Sequence, residues 1–456
     1  MHQEPTECSL EHMSTDQASD LQHLALGMAP AGTGLRASHP EAAWFPRAGL
    51  GLFLHWGISS VHGGVDLSWG MIAGTPWDRG QHRHGKITPN AYYDLAGRFA
   101  PERYDPDRWC AAAAAAGFRY AVLTTKHHDG YTLWPTAAGD LGVHSHLGGR
   151  DLVAPFVEAC RRHGLKVGLY YSPADWWFDR ACRSWGYGPA MEEGTGGAGS
   201  VRWLDMDHRP CRPLAKPAGH DQARCALVNA QLRELLTGYG RIDLLWLDGG
   251  GGEMPHAAIR ALQPHIVLND RNQPERGDFG HSECAMPRSR PDGWFETCTC
   301  WGHGWGWRDA ILTADSPASP LAQLAALRAM GGNLLLNLPP DPHGELAAPS
   351  LVAMSALGDW MRINREAIHD VAGGPWPVDA NVPVTCGERA WYAICPPEFP
   401  GPVVIHGAPR IARARVLGRD AVELPLQQES TRLIVGLPTG ARSSWSHDVV
   451  RLDLAG

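Results

Sequence analysis

The residues best placed to do chemistry close an apolar run, Arg241-Ile242-Asp243-Leu244-Leu245-Trp246-Leu247-Asp248-Gly249-Gly250. A carboxylate that ends a strand and precedes glycines projects, in an α/β barrel, into the pocket at the C-terminal face. Burial of such a group is costly unless it is hydrogen-bonded or used. Two readings of Asp248 stay open at this point: a catalytic carboxylate, or a turn aspartate before Gly-Gly. Hydrolysis of a glycosidic bond needs a second carboxyl group, so that one protonates the leaving oxygen while the other attacks or activates water. Asp278-Phe279-Gly280-His281-Ser282-Glu283 and Trp294-Phe295-Glu296-Thr297-Cys298 each offer one. Glu283 and Glu296 are both credible acids. Sequence alone does not choose between them, and surface salt bridging is the plain alternative for either.

Two other strand ends carry imidazoles: Leu54-His55-Trp56-Gly57 and Thr124-Thr125-Lys126-His127-His128-Asp129-Gly130. Imidazole both donates and accepts hydrogen bonds, which suits sugar hydroxyls. A metal is not expected. Adjacent residues on a strand end point to opposite sides, and neither H-E-x-x-H nor Cys₂His₂ spacing occurs.

The elements that must position these groups alternate. Continuous apolar runs at Leu50–Trp56, Tyr120–Thr125, Lys166–Tyr171, Ile242–Asp248, Ile266–Asn269 and Asn333–Leu338 read as strands covered on both faces. Between them lie helical stretches with clear punctuation. Asp105 caps a helix with Pro106 in its first position and Gly117 at its end, Asp151 caps Leu152–His163 before Gly164, and a third runs from Asp221 to about Leu236. This order predicts an α/β fold with a parallel sheet, a (β/α)₈-like barrel over 41–370. No G-x-G-x-x-G or Walker loop supports the alternative, an open nucleotide-binding sheet. Two long excursions, 57–90 and 173–219, follow predicted strands and belong at the catalytic rim. Residues 1–40 read as a flexible leader. After about residue 370, short runs (Ala390–Ile394, Val403–His406, Ala414–Val416, Leu433–Val435) between Pro/Gly turns predict a small all-β sandwich over 371–456.

Composition sets outer bounds. The 456 residues suit a barrel of about 250–300 residues plus a second domain. With 44% hydrophobic and 19% charged residues, a large core is feasible. The net charge of -8, with no Lys/Arg-rich run, points away from nucleic acid and anionic membranes as partners. The 19 tryptophans either fill core or form platforms for sugar rings. The 11 cysteines, an odd number scattered along the chain, read as free thiols rather than a disulfide framework. No signal peptide or membrane span is read, so a cytoplasmic location is the expectation.

These segments together resemble glycoside hydrolase family 29, the α-L-fucosidases, from about Trp44 to Ile368. The matching pieces are Trp44-Phe45, Gly51-Leu-Phe-Leu-His-Trp-Gly57, Phe118-Arg-Tyr-Ala-Val-Leu-Thr-Thr-Lys-His-His-Asp-Gly130, Gly168-Leu-Tyr-Tyr-Ser172, Ile242-Asp-Leu-Leu-Trp-Leu-Asp-Gly249, Asn269-Asp-Arg271 and Gly331-Gly-Asn-Leu-Leu-Leu-Asn337. The resemblance implies a retaining mechanism with Asp248 as nucleophile. Glu283 is the acid/base favoured by motif, and Glu296 remains the alternative. The resemblance places His55, Trp69, His127, His128, Tyr171, Trp246 and Arg271 on the sugar, with Glu296 as a further candidate contact. It implies a fucosylated oligosaccharide or glycoconjugate as substrate and no cofactor. One departure stands out: many relatives have glutamate immediately before the first-loop tryptophan, whereas Ser68 precedes Trp69 here, with Asp66 a nearby substitute.

Overall fold

The computed structural model describes residues 39–75, 87–187, 203–212, 214–249, 254–271, 277–302, 304–308, 318–419, 422–437 and 446–455. All but the last two residues of the expected leader, and the middles of both rim excursions, lie outside the described residues.

Eight parallel strands form one sheet: β1 (Leu50–Leu54), β2 (Tyr120–Lys126), β3 (Lys166–Tyr171), β4 (Leu244–Leu247), β5 (Val267–Leu268), β6 (Phe279–Glu283), β7 (Trp294–Cys300) and β8 (Asn333–Asn337). Their order is β5-β4-β3-β2-β1-β8-β7-β6, so β1 pairs with β8 and the sheet curls round. The seam between β5 and β6 is joined by a parallel bridge, Asn269 to Phe279. Asp278 reinforces it: its amide donates to the Leu268 carbonyl (2.7 Å), and its carboxylate accepts from the Leu268 amide (2.8 Å) and from Arg260 (2.7 Å). The fold is thus the (β/α)₈ barrel expected, with helices such as Pro106–Ala115, Val153–Arg162 and His220–Gly238 outside it. Two of their N-termini are capped as read: Asp105 accepts from the Asp107 amide, and Asp151 from those of Val153 and Ala154.

Strand alternation splits the barrel residues into two sets. Phe53, Tyr120, Val122, Tyr170, Leu244, Trp246, Val267, Phe279, Cys298 and Leu335 fill the interior. Leu52, Leu54, Ala121, Leu123, Leu169, Tyr171, Leu245, Leu247 and Leu336 pack outward under the helices. Gly51 matters to the interior: a Cβ there would lie 2.1 Å from the Tyr120 ring. Without it, the phenol crosses the barrel and reaches β7.

Eight antiparallel strands follow: β9 (Ala372–Gly373), β10 (Val384–Cys386), β11 (Ala390–Cys395), β12 (Val403–His406), β13 (Ile411–Val416), β14 (Leu426–Gln428), β15 (Arg432–Val435) and β16 (Asp448–Leu454). They make a five-stranded sheet, β13-β16-β11-β10-β9, and a three-stranded one, β12-β15-β14. Val384, Ala393, Ile411, Val416 and Leu452 from the first pack against Val403, Ile405, Leu433 and Val435 from the second, which is a sandwich. It docks on the barrel through Trp360, whose ring N–H donates to the His447 carbonyl (2.7 Å), and Thr385, whose hydroxyl donates to the Ala367 carbonyl (2.8 Å). All ten cysteines among the described residues are free thiols. No described helix is long and apolar enough to cross a membrane.

Candidate active site

The strand C-termini and the turns that follow them bring several side chains to a common pocket. Asp248 stands two residues beyond Trp246, so alternation turns it inward with that ring. Its backbone N–H donates to the Tyr171 carbonyl (3.1 Å), which extends the β3–β4 pairing by one residue. One carboxylate oxygen accepts from the Tyr170 hydroxyl (2.7 Å) and lies 3.8 Å from His128 Nε2. The other lies 2.7 Å from Arg271 Nε. Arg271 also forms an ion pair through a terminal nitrogen with Glu283, the last residue of β6. One guanidinium therefore holds both Asp248 and Glu283. The side chains of these three residues are 12–17% exposed, so they line an opening rather than a sealed core.

The protonation states follow from these neighbours. Burial pushes the Asp248 carboxyl up, but the Arg271 charge, aided by His128 and the Tyr170 hydroxyl, more than offsets this and holds it well below the usual carboxylate range. Burial pushes the imidazoles the other way: His55 and His128 fall to about 4, and His127 also falls well below its ordinary value. Near neutral pH the three rings are uncharged, each with one donor and one acceptor for a hydroxyl.

Each ring is held from behind. His55 Nδ1 contacts Asn337 Oδ1 (2.9 Å), and its ring lies 4.9 Å from that of Trp305. His128 Nδ1 contacts Ser172 Oγ (2.6 Å), with Trp176 beside it at 5.2 Å. His127 Nδ1 contacts Ser68 Oγ (2.5 Å), and its ring stacks parallel on Tyr170 at 5.6 Å. Trp69 stands edge-on to His128 (5.8 Å) and Trp176 (5.3 Å) at the rim. Ser68, the departure noted in the sequence, thus fixes an imidazole in the pocket wall.

Three expectations are corrected. His127 and His128 do not point to opposite sides: their ring centroids are 4.3 Å apart and both face the pocket. The strand ends at Lys126, so both histidines lie in the following turn, and a register shift between Thr124 and Lys126 has already altered which side chains face inward. With Asp248 they make a group within metal-ligand reach of one another, but the Arg271 cation already occupies the carboxylate. Tyr171 does not face the pocket. It is fully buried on the helix side, where its hydroxyl donates to Gln231 (2.7 Å) and its ring lies under Lys126 (4.6 Å). Its neighbour Tyr170 takes the inward place, because strand alternation allows only one of the two to do so. Glu296, too, is not at the pocket surface. It is 0% exposed and sits below, accepting from Tyr120 Oη (2.5 Å) and Trp246 Nε1 (3.0 Å). Burial pushes its carboxyl up to about 7 against those two hydrogen bonds.

Trp246 is therefore floor rather than wall. It stacks on Tyr170 (5.7 Å, 17°), and Arg271 lies 5.5 Å from its ring. Tyr170, Ser172, Trp305 and Asn337 belong to the site without having been singled out as site residues. The Tyr-Tyr pair and Asn337 stood within quoted motifs, but choosing between adjacent tyrosines needs the β3–β4 register, in which Tyr170 pairs with Trp246.

A sequence model of the α-L-fucosidases matches residues 28–366. The chain belongs to the α-L-fucosidase family. Bovine tissue α-L-fucosidase is 28% identical over 384 residues, covering 78% of this chain and 73% of that protein. The human tissue enzyme is 28% identical over 386 residues, covering 78% and 74%. Among solved structures, α-L-fucosidase isoenzyme 1 of Paenibacillus thiaminolyticus superposes with a TM-score of 0.73 at 28% identity, over 91% of this chain and 99% of that one. A family 29 α-L-fucosidase of Bacteroides thetaiotaomicron, solved as a trapped covalent intermediate, gives 0.73 at 19% identity, over 93% and 98%. At that identity it bears on the fold alone.

Proposed function

We infer that the protein is a retaining α-L-fucosidase that releases terminal α-L-fucose from fucosylated substrates, with Asp248 as nucleophile and Glu283 as acid/base. The observation that carries this assignment is the clamp of Arg271 on both carboxylates at the barrel mouth. A retaining pair needs its carboxyl groups roughly 5–5.5 Å apart, closer than the pair that must admit a water molecule. Contact with two nitrogens of one guanidinium supports that closeness.

In the first half-reaction Asp248 attacks the anomeric carbon while Glu283 gives its proton to the leaving oxygen. In the second, Glu283 takes a proton from water, which displaces Asp248. The Arg271 charge keeps Asp248 ionised near neutral pH. The neutral imidazoles of His55, His127 and His128 are suited to sugar hydroxyls, and aromatic walls such as Trp69 and Trp305 to the methyl group of fucose. Burial of that methyl contributes about 1 kcal/mol. Glu296 is a poor candidate for the acid, since both its oxygens are engaged beneath Trp246.

Ser68 favours a second reading, a preference for a related sugar, because a short neutral side chain in contact with His127 replaces a carboxylate beside the pocket. A panel of aryl glycosides with product configuration followed by NMR separates the two. Release from the α-L-fucoside with retained configuration is expected; inverted product overturns the mechanism, and release only from another glycoside overturns the substrate.

A further inference from the structure

Outside the pocket, one group of side chains has the composition and convergence of a metal site, and the hydrolytic chemistry makes no use of it. After β3 the chain runs through Trp176, which packs on His128, into the turn Phe178–Ala181 and then Cys182. Asp179 and Cys182 face His220, the first residue of the helix His220–Gly238. His220 Nε2 lies 2.7 Å from Asp179 Oδ1 and 3.4 Å from Cys182 Sγ, and the three atoms all lie within 4.8 Å of one another. The Phe178 ring lies 4.8 Å from the imidazole. The imidazole is 9% and the carboxylate 26% exposed, and Cys182 is buried, so the cluster is shielded yet reachable.

The arrangement is not a nucleophile relay. A Cys-His-Asp relay uses both ring nitrogens, one for the thiol and one for the carboxylate. Here thiol and carboxylate converge on the same nitrogen. Convergence on one point is what a shared cation requires. Thiolate, imidazole and carboxylate are together the donor set of zinc and similar divalent ions. With metal–ligand bonds of about 2.0–2.3 Å, tetrahedral neighbours stand roughly 3.3–3.7 Å apart. The thiol–imidazole separation is already in that range, and the imidazole–carboxylate one must widen from 2.7 Å. Of the cations that act on Cys182, Lys216 is paired with Asp221 at 2.9 Å and Arg183 packs over Trp176 and Trp185. The pocket group of His127, His128 and Asp248 lacks a thiol, and Arg271 repels a cation there.

We propose that Asp179, Cys182 and His220 bind a zinc-type divalent cation that staples the excursion after β3 to the helix His220–Gly238. Binding replaces the thiol proton, which leaves to buffer, and three protein ligands leave one tetrahedral position for water or a further donor. The staple would hold the segment that backs His128 with Trp176 and keeps Arg183 against Trp176 (4.3 Å) and Trp185 (4.7 Å).

The test is cobalt and zinc binding to the full chain after chelator treatment. One equivalent of Co²⁺ should give a thiolate-to-cobalt charge-transfer band, and Zn²⁺ should bleach it and raise Tm. Cys182→Ser should lose both the band and the Zn²⁺-dependent rise in Tm, while keeping its far-UV circular dichroism and a cooperative melt. Asp179→Asn is a second variant that keeps the thiol; it should weaken cobalt binding at least tenfold. Absence of the band in the parent protein, or its survival in Cys182→Ser, overturns the proposal.

Discussion

Asp248, at the pocket mouth, and Glu296, fully buried beneath it, are carboxylates of one barrel with Trp246 and Tyr170 between them, and their surroundings drive them in opposite directions. Around Asp248 a guanidinium stands at 2.7 Å, and the carboxyl is held well below its ordinary range. Around Glu296 the donors are a phenol and an indole, and the carboxyl rises to about 7. Burial acts alike on both. What differs is a full positive charge against neutral donors, and in a low-dielectric site that decides which group stays an anion. The upper layer thereby presents a charge at the pocket, and the lower one keeps a carboxyl half-neutral beneath an aromatic floor.

The sharpest way to break this contrast is to remove the upper anion. Asp248→Ala should lower kcat on an aryl α-L-fucoside by at least about 10³-fold, as expected for loss of a nucleophile. Steady-state rates of the purified variant check it, and a variant within tenfold of the parent ends the nucleophile assignment. Glu283→Ala should lose about 10²–10⁴-fold on poor leaving groups and much less on activated ones. Azide should then restore turnover, giving a fucosyl azide of retained configuration. If Glu296→Ala shows that leaving-group dependence instead, the two layers have been assigned the wrong way round.

Arg271 is the element that separates the layers, so its removal should make the upper carboxylate resemble the lower. In Arg271→Gln the charge that overcomes burial is gone, and Asp248 should titrate higher. The acidic limb of kcat/KM, which requires ionised Asp248, then moves to higher pH. An unmoved limb would mean that His128 and Tyr170 suffice to hold the anion. Loss of one partner of a buried ion pair costs about 3–5 kcal/mol, so a lower Tm should accompany the shift.

The same contrast explains what the sequence could and could not reveal. All six apolar runs became barrel strands, β1 to β5 and β8, because strands covered on both faces must be apolar throughout. The two strands not read as such are β6, Phe-Gly-His-Ser-Glu, and β7, Trp-Phe-Glu-Thr-Cys-Thr-Cys. Their interior positions carry His281, Glu283 and Glu296, and those groups erase the apolar signal that marks a buried strand. The depth of Glu296 was hidden for a related reason: with β7 unread, its place on the strand could not be fixed, and nothing local told a pocket acid from a floor acid. The Tyr170–Tyr171 choice failed on register, and the histidine pair because the strand ends at Lys126, just before both imidazoles. In the sandwich, β11, β12, β13 and β15 were legible from their apolar runs. Strands β9, β10 and β14 span only two or three residues, too few to show a period, and β16 begins with Asp448 and carries Arg451 and Asp453.

The smallest catalytic effect, and the one that best isolates the lower layer, is expected from Glu296→Gln. Glutamine reproduces the neutral carboxyl: its carbonyl accepts from Trp246 Nε1 and its amide can donate to the Tyr120 oxygen. Hydrolysis near pH 6 should change by no more than about threefold, since the group touches no substrate. Stability should respond more. The Glu296 carboxyl titrates higher folded, at about 7, than its ordinary 4.5. The folded state therefore holds a proton that the unfolded chain releases. The resulting stabilisation is complete below about pH 4.5 and is lost as the pH rises through 7. Glutamine has no proton to lose, so the stability of Glu296→Gln relative to the parent should climb between pH 4.5 and 8 by about 3 kcal/mol, and its relative Tm with it. Thermal melts of both proteins across that interval measure it. A Tm difference independent of pH would show that Glu296 is ionised throughout, and the two carboxylates of the barrel would then differ in depth alone.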